Sequence, residues 1–382
     1  VYYLLLHLWM LLFGRSEIAL RGLSILAFLL FLLVVYKFAL VIFKDKKAAV
    51  YTACLMAANP MLLYFAFEIR MYSLLTMLAT LSMYFLYTNN WIGYIISASL
   101  GMYTQPFMAF VILAQNSYLL LTGKFRIALR NDILLGLLYL PWMPILFTQF
   151  KASGPMWMYP IDLNLLAAVL GNLYVGYEGT PGFIWPYVQG VSLFILLAAL
   201  FLWKAKINRS QTLLWLTWIF IPLFLVLGIS LIKPIYVHRY VIFVTVAEVF
   251  LISAFMVKVL PQTIKWRIAY AFLITIILID FVAVAFHRKV PIRDTFTEIK
   301  SLLKAGDVVY AETPLVFYES LYYAPPYTNV YLYNPQKITP PRYVGSVGMP
   351  QAVWATESPS LPQRAFVISE DGSYYIAPEK KL

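Results

Sequence analysis

The sequence predicts an all-α polytopic membrane protein that carries a small α/β domain at its C-terminal end. Three observations predict it. Of 382 residues, 62% are hydrophobic and only 12% charged, with a mean hydropathy of +0.77, far from the roughly half-apolar, quarter-charged mix of soluble domains. The apolar residues fall into long runs separated by short basic clusters. Beyond about His287 the runs stop and polar and apolar residues mix.

Charge and special residues narrow the class. A formal charge of +12 would suit nucleic acid only as a patch or stripe. Here the Lys and Arg sit between apolar runs, so they read as topology signals; the bilayer is the expected partner and nucleic acid is not. Cys54 is the only cysteine and lies inside an apolar run, which excludes an intrachain disulfide and suggests a packing role. His7, His238 and His287 have no metal-ligand spacing, so a histidine-built metal site is not expected. No internal repeat or low-complexity tract supports a repeat-built transporter.

Each element has its own signal. The chain begins at Val1 without a methionine, inside the run VYYLLLHLWMLLF, with no charged n-region or cleavage site; an N-terminally truncated chain is the expectation. That run is short for a span, which needs about 20 residues, and reads as an aromatic-rich interfacial helix. About ten spans come after it: Ile18–Phe43, Ala48–Phe65, Met71–Tyr87, Trp91–Tyr103, Phe107–Thr122, Ile133–Gln149, Ile184–Trp203, Gln211–Ile232, Tyr240–Val257 and Ile268–Phe286. Trp91–Tyr103 is too short to cross comfortably and can merge with the next run as a bent pair around Gln105-Pro106.

Loop cations orient the spans. One set of loops holds Lys44, Lys46, Lys47, Lys124, Arg126, Arg130, Lys204, Lys206, Arg209, Lys258, Lys265 and Arg267; the other holds Arg15, Arg70, Lys151, Lys233 and Arg239. The positive-inside rule puts the first set in the cytoplasm. The Glu68–Arg70 turn, the long Phe150–Phe183 loop, the Lys233–Arg239 turn and the tail then all face outward.

The tail, residues 287–382 after a membrane domain of residues 1–286, reads as a small extracytoplasmic α/β domain. An amphipathic helix ends at Gly306, a strand covers Asp307–Ala311, a second helix lies near Pro314–Tyr323, and NVYLYN and RAFVIS are further strands.

The candidate chemistry clusters on the outward side. In NPMLLYFAFEIRMY, a continuing helix would put Tyr64, Glu68 and Tyr72 on one face and Arg70 about 200° from Glu68. A cation there could bind the phosphate of a lipid-linked substrate, with the carboxylate orienting the cation. The plainer alternative is an interfacial Glu with a snorkelling Arg. Tyr236, His238, Arg239 and Tyr240 form a second cluster, equally readable as a phosphate site or an interfacial belt. Glu248 and Asp280 lie within spans at similar depth, roughly 13 Å and 9 Å from the outer ends, and are expected to form a hydrogen-bonded pair; a proton relay is the alternative. Asp162, Asn172, Tyr174, Tyr177 and Glu178 in the long outer loop would suit carbohydrate or any lid.

Four stretches in order carry a family resemblance: YYLLLHLWMLLFGRSEIALRGLS, NP…FEIRMYSLL, LGMYTQPFMAFVILAQ and HRYVIF. They resemble the GT-C fold membrane glycosyltransferases, in the protein O-mannosyltransferase-like and aminoarabinose transferase-like group that includes RgtA/B/C/D-like bacterial members. Tyr2 and Tyr3 match that group's Leu-Tyr-Tyr helix, and Gly14, Glu17 and Arg21 match the Gly, Ser-Glu and Ala-Leu-Arg that come after that helix. Its Gln-Glu-Ala-Arg-Met-Tyr falls on Phe67, Glu68, Ile69, Arg70, Met71 and Tyr72, with Gln replaced by Phe67. Its Thr-His-Tyr falls on Thr104, Gln105 and Pro106, which removes a histidine. Arg239 and Tyr240 match its later Arg-Tyr pair.

The resemblance implies transfer of a sugar, mannose-like or other, from a polyprenyl-phosphate donor to a hydroxyl of a protein, lipid or glycan acceptor at the outer face. It implies Arg70, Arg239, Glu68, Tyr72 and Tyr240 at the donor phosphate, and a catalytic acid upstream of Val1, so no catalytic residue is assigned. No cofactor is certain, and a divalent cation stays open. Two alternatives remain beside the enzyme: a transporter or flippase of a lipid-linked substrate with Glu248 and Asp280 as coupling groups, and a catalytically silent relative with a scaffold role.

Overall fold

The computed structural model describes the chain except residues 153–157, 159–160, 177–179, 207, 287–289, 342–343, 361 and 379–382. It divides into two compact units, Val1–Leu146 with Trp157–Phe286, and Phe147–Met156 with His287–Leu382.

The first unit is helical. Its elements are α1 (Tyr2–Phe13), α2 (Glu17–Phe43), α3 (Lys46–Ala57), α4 (Pro60–Ala66), α5 (Tyr72–Tyr87), α6 (Trp91–Thr104), α7 (Met108–Leu121), α8 (Phe125–Tyr139), α9 (Met143–Ala152, which runs into the second unit), α10 (Leu163–Val175), α11 (Trp185–Ala205), α12 (Arg209–Ser230), α13 (Phe243–Lys258) and α14 (Lys265–Phe286). Among the described residues, four helical stretches are long and apolar enough to cross a bilayer: Glu17–Phe43, Phe125–Thr148, Gly182–Ala205 and Arg209–Ser230. α3 and α4 make a fifth if the pair, bent by 64°, is one span. The other apolar runs also lie on helices, several of them, such as α5 and α7, too short to pass the same test of length.

The breaks have local causes. Asn59 precedes Pro60, which disfavours helix at position 59; Asn59 is extended and caps α4 by accepting from the Leu62 N–H at 3.0 Å. Gln105 precedes Pro106 and is likewise extended, which separates α6 from α7. Asn90 caps α6 by accepting from the Gly93 N–H at 3.0 Å.

Helix α13 is the axis of the unit, with every residue from Phe243 to Ala254 buried, as befits a helix apolar all round. Phe250 stacks on Trp215 of α12 at 4.7 Å and meets Phe38 of α2 at 5.1 Å. At one end of the bundle, Gln211 of α12 donates to the Ile42 carbonyl at 3.0 Å and accepts from Lys258 at 2.6 Å, while Tyr118 and Ser210 are hydrogen-bonded at 2.7 Å. These contacts gather the basic loops at that end. The Arg70 carbonyl accepts from Ser24, about five turns along α2 from Ile42, toward the other end.

The segment expected as a long outer loop contains α10. Asp162 caps it by accepting from the Leu165 N–H at 2.7 Å, and Asn172 and Tyr174 are buried in it. Asn172 and Tyr174 are buried and present no surface, whereas Asp162 is exposed at the start of the helix; Tyr177 and Glu178 lie outside the described residues. The LLAAVLGNLYV pattern is helical in its spacing, but the flanking polar residues hide it. Cys54, expected to pack, is exposed on α3.

The second unit contains α15 (Ile292–Leu302), α16 (Pro314–Tyr323) and a sheet of β1 (Val308–Ala311), β2 (Asn329–Tyr333), β3 (Trp354–Ala355), β4 (Ala365–Ile368) and β5 (Tyr374–Ala377) in the order β3-β2-β1-β4-β5. β1 is parallel to β2 and β4, β2 to β3, and β5 is antiparallel to β4. Ile292, Phe296, Ile299, Val316 and Phe317 of the two helices bury one sheet face. β3 and β5 have no clear sequence signal, being two and four residues long.

Candidate functional site

The site is built on two breaks at the end of the bundle that holds Arg70. At the first, α4 stops at Ala66 and α5 starts at Tyr72, so residues 67–71 form bends and a turn. The helix expected to continue through Glu68 does not. Four-residue spacing therefore does not align Tyr64, Glu68 and Tyr72 on one helix face. The turn is fastened by Ser73 donating to the Phe65 carbonyl at 3.1 Å and by Ser24 donating to the Arg70 carbonyl at 3.3 Å. Phe65 and Tyr72 rings pack edge to face at 4.7 Å.

The second break joins α12 to α13. Val237 is extended and His238–Val241 form one 3-10 turn, closed by the Tyr240 N–H donating to the Val237 carbonyl at 2.9 Å. Tyr240 packs against Phe107 at 4.9 Å, and the Arg239 guanidinium lies 5.5 Å from the Tyr240 ring.

The two breaks converge. Tyr72 lies in the field of Arg239, Tyr240 and Arg70. Tyr64 is hydrogen-bonded to Glu68 and lies in the field of Arg70 and Arg239. All five residues singled out in the sequence, Glu68, Arg70, Tyr72, Arg239 and Tyr240, thus belong to one constellation. Tyr72 is buried, Glu68, Arg239 and Tyr240 are half-buried, and Arg70 is exposed. Two cations, one carboxylate and neighbouring phenols suit an anion that carries a polar group beside it.

Sequence reasoning did not find the support beneath the turn. The Tyr2 hydroxyl pairs with Ser24 at 2.8 Å, and Ser24 in turn holds Arg70. Tyr2 also senses Glu68. No local signal links α1 and α2 to residue 70, because the chain is fixed there only by tertiary contact.

The neighbouring pair is different. Burial pushes the His238 imidazole down to about 4 and the Tyr236 phenol up, so both are neutral near pH 7. Their rings meet at 5.1 Å. His7 is exposed on α1, and His287 lies outside the described residues. Among the described residues, no three metal-ligating side chains come together.

The expected Glu248–Asp280 pair is not formed. Glu248 is fully buried, and among the described residues neither of its carboxylate oxygens has a hydrogen-bond partner; its electrostatic neighbours are Tyr174 and Tyr236. Asp280 is half-exposed on α14. Similar depth did not put the two on facing sides.

Residues 1–147 match the family described as dolichyl-phosphate-mannose-protein mannosyltransferase. The crystal structure of ArnT from Cupriavidus metallidurans in the apo state superposes with a TM-score of 0.62 at 13% identity, covering 96% of this chain and 82% of that one. No protein of curated function matches in sequence. Both likenesses agree with the resemblance read from the sequence, and the fold is shared with that ArnT structure.

Proposed function

We propose that the chain is a membrane glycosyltransferase that moves a sugar from a polyprenyl-phosphate carrier to an acceptor hydroxyl at the extracytoplasmic face. The observation that carries the reading is the convergence of Arg70 and Arg239 on Tyr72. The acceptor hydroxyl gives its proton to a general base outside the five candidate residues as its oxygen attacks the anomeric carbon, the carbon–oxygen bond to phosphate breaks, and polyprenyl phosphate leaves with an added negative charge. Positioned cations stabilise such a charge as it develops. Arg70 and Arg239 supply it, Tyr72 and Tyr240 act as supporting donors, and Glu68 orients through Tyr64 rather than serving as the base. The loop cations support placing this end outside, and the second unit is then an extracytoplasmic domain.

Transporter function has one supporting observation, the buried Glu248 carboxyl without a partner among the described residues. It lacks the assembled Glu248–Asp280 pair on which coupling would rest. Proteoliposomes separate the readings. Release of polyprenyl phosphate with a glycosylated product supports transfer, and its loss in Arg70→Ala and Arg239→Ala supports the assigned roles. Ion-gradient-driven uptake without product would overturn the proposal.

A further inference from the structure

The basic end of the bundle holds a cavity that glycosyl transfer does not use. It has a volume of about 260 Å³, lies between the end of α11 and the start of α12, and is lined by Leu202, Trp203, Lys206, Arg209 and Thr212. We propose that it binds the phosphate headgroup of an anionic phospholipid. The proposal rests only on α11 and α12 crossing the membrane, and is independent of the enzymatic reading.

The local backbone builds the cavity. α11 ends at Ala205, Lys206 takes a left-handed conformation with φ of 50°, and Asn208 caps α12 by accepting from the Gln211 N–H at 3.1 Å. This reversal sets Lys206 and Arg209 on the same small opening. The Arg209 guanidinium lies 5.3 Å from the Trp203 ring, and stacking on an aromatic face restrains the fork that grips phosphate oxygens. Among the described residues neither cation has a carboxylate partner. Their charge is therefore available to a ligand.

The walls select the source of the phosphate. Leu202 and Trp203 give the cavity an apolar side, and the Thr212 hydroxyl is committed to the Asn208 carbonyl at 3.1 Å. An exposed Trp at the end of a spanning helix sits at headgroup depth. Free phosphate would gain nothing from that side, whereas a lipid would lay its glycerol and first chain carbons there. Basic pockets between spanning helices are suited to such headgroups.

Binding of phosphatidylglycerol and phosphatidylcholine to the detergent-solubilised full chain, measured by native mass spectrometry, tests this. Phosphatidylglycerol is expected to bind in preference, and Lys206→Gln with Arg209→Gln to weaken it about tenfold or more with thermal unfolding in phosphatidylcholine unchanged. Arg209→Lys, which keeps the charge but not the fork, should fall between. Brominated-chain phosphatidylglycerol should quench wild-type fluorescence more than that of Trp203→Phe. Equal binding of the two lipids, or undiminished binding by the double variant, would overturn the proposal. Displacement of the lipid by millimolar inorganic phosphate would also overturn it, in favour of a free-anion site.

Discussion

Arg239 lies within electrostatic reach of Tyr72 across two breaks in the bundle. Tyr72 opens α5, Arg239 lies in the turn before α13, and the phenol lies in the field of both the Arg239 and Arg70 guanidinium groups. A single helix could not present both cations on one side. Interrupting α4 after Ala66 and α12 after Ser230 frees two short segments to fold toward each other, and the charges collect where both helices have stopped.

Removing either cation should therefore cost more than binding. Arg70→Ala and Arg239→Ala are expected to lower kcat for sugar transfer by about 100-fold, the scale for a lost donor to developing charge. Tyr72→Phe should cost about tenfold, because it removes only the hydroxyl between them. Initial rates of polyprenyl-phosphate release check this. Losses confined to KM would show that the arginines hold the donor without acting on departure of the phosphate.

Close packing of α10 on α11 gives a second expectation. A Cβ on Gly171 would lie 1.9 Å from the Val188 carbonyl oxygen, a backbone atom that no side-chain rotation can move. Gly171→Ala should destabilise by at least the ~1–3 kcal/mol of ordinary overpacking. Gly190→Ala, in α11 with nothing within 4 Å, should be neutral or slightly stabilising, since Ala is the better helix former. Thermal unfolding of the two variants distinguishes them, and equal midpoints would refute the close approach.

Much of the fold was legible because the bilayer imposes it. Each apolar run became helix, and Asn59-Pro60 and Gln105-Pro106 broke helices as proline chemistry requires. The five candidate residues were singled out by resemblance; their electrostatic proximity was not legible, since nothing near Arg70 in the chain encodes its distance from Arg239. Spacing misled where it assumed continuity, as at Glu68, or a shared direction, as for Glu248 and Asp280. α10 was missed because Asp162 and Asn172, read as loop polarity, are a cap and a buried helix residue.

In the second unit, Asp307 and Arg364 form a bidentate pair, with Nε at 3.1 Å and Nη2 at 2.5 Å from the carboxylate oxygens. Burial alone would raise the Asp307 carboxyl, but the hydrogen bonds from Arg364 and the Lys304 N–H outweigh it and hold it below its ordinary 3.8. A depressed folded value means that the stabilisation is fully present above 3.8 and is lost as pH falls through the folded value. Hydrogen exchange of the β1 amides in the full chain should accelerate below about pH 4, and Asp307→Asn should abolish that dependence while costing about 1–3 kcal/mol. An unchanged acid profile in Asp307→Asn would assign the transition to another group.

Glu248 decides between the two readings of the bundle. Its carboxyl is fully buried in α13, both oxygens lack hydrogen-bond partners among the described residues, and Tyr174 and Tyr236 are its electrostatic neighbours. A buried polar group without partners is costly, so replacing it with an apolar side chain of similar length removes a penalty and no bond. Glu248→Met should raise the thermal midpoint. It should also leave sugar transfer within about threefold, since a factor of that size is under 1 kcal/mol and neither neighbouring tyrosine belongs to the proposed phosphate site. A coupling carboxyl in a transporter would behave in the opposite way: Glu248→Met and Glu248→Gln would both abolish ion-driven uptake in proteoliposomes. That outcome, with no glycosylated product from the wild type, would reassign the protein from transferase to carrier.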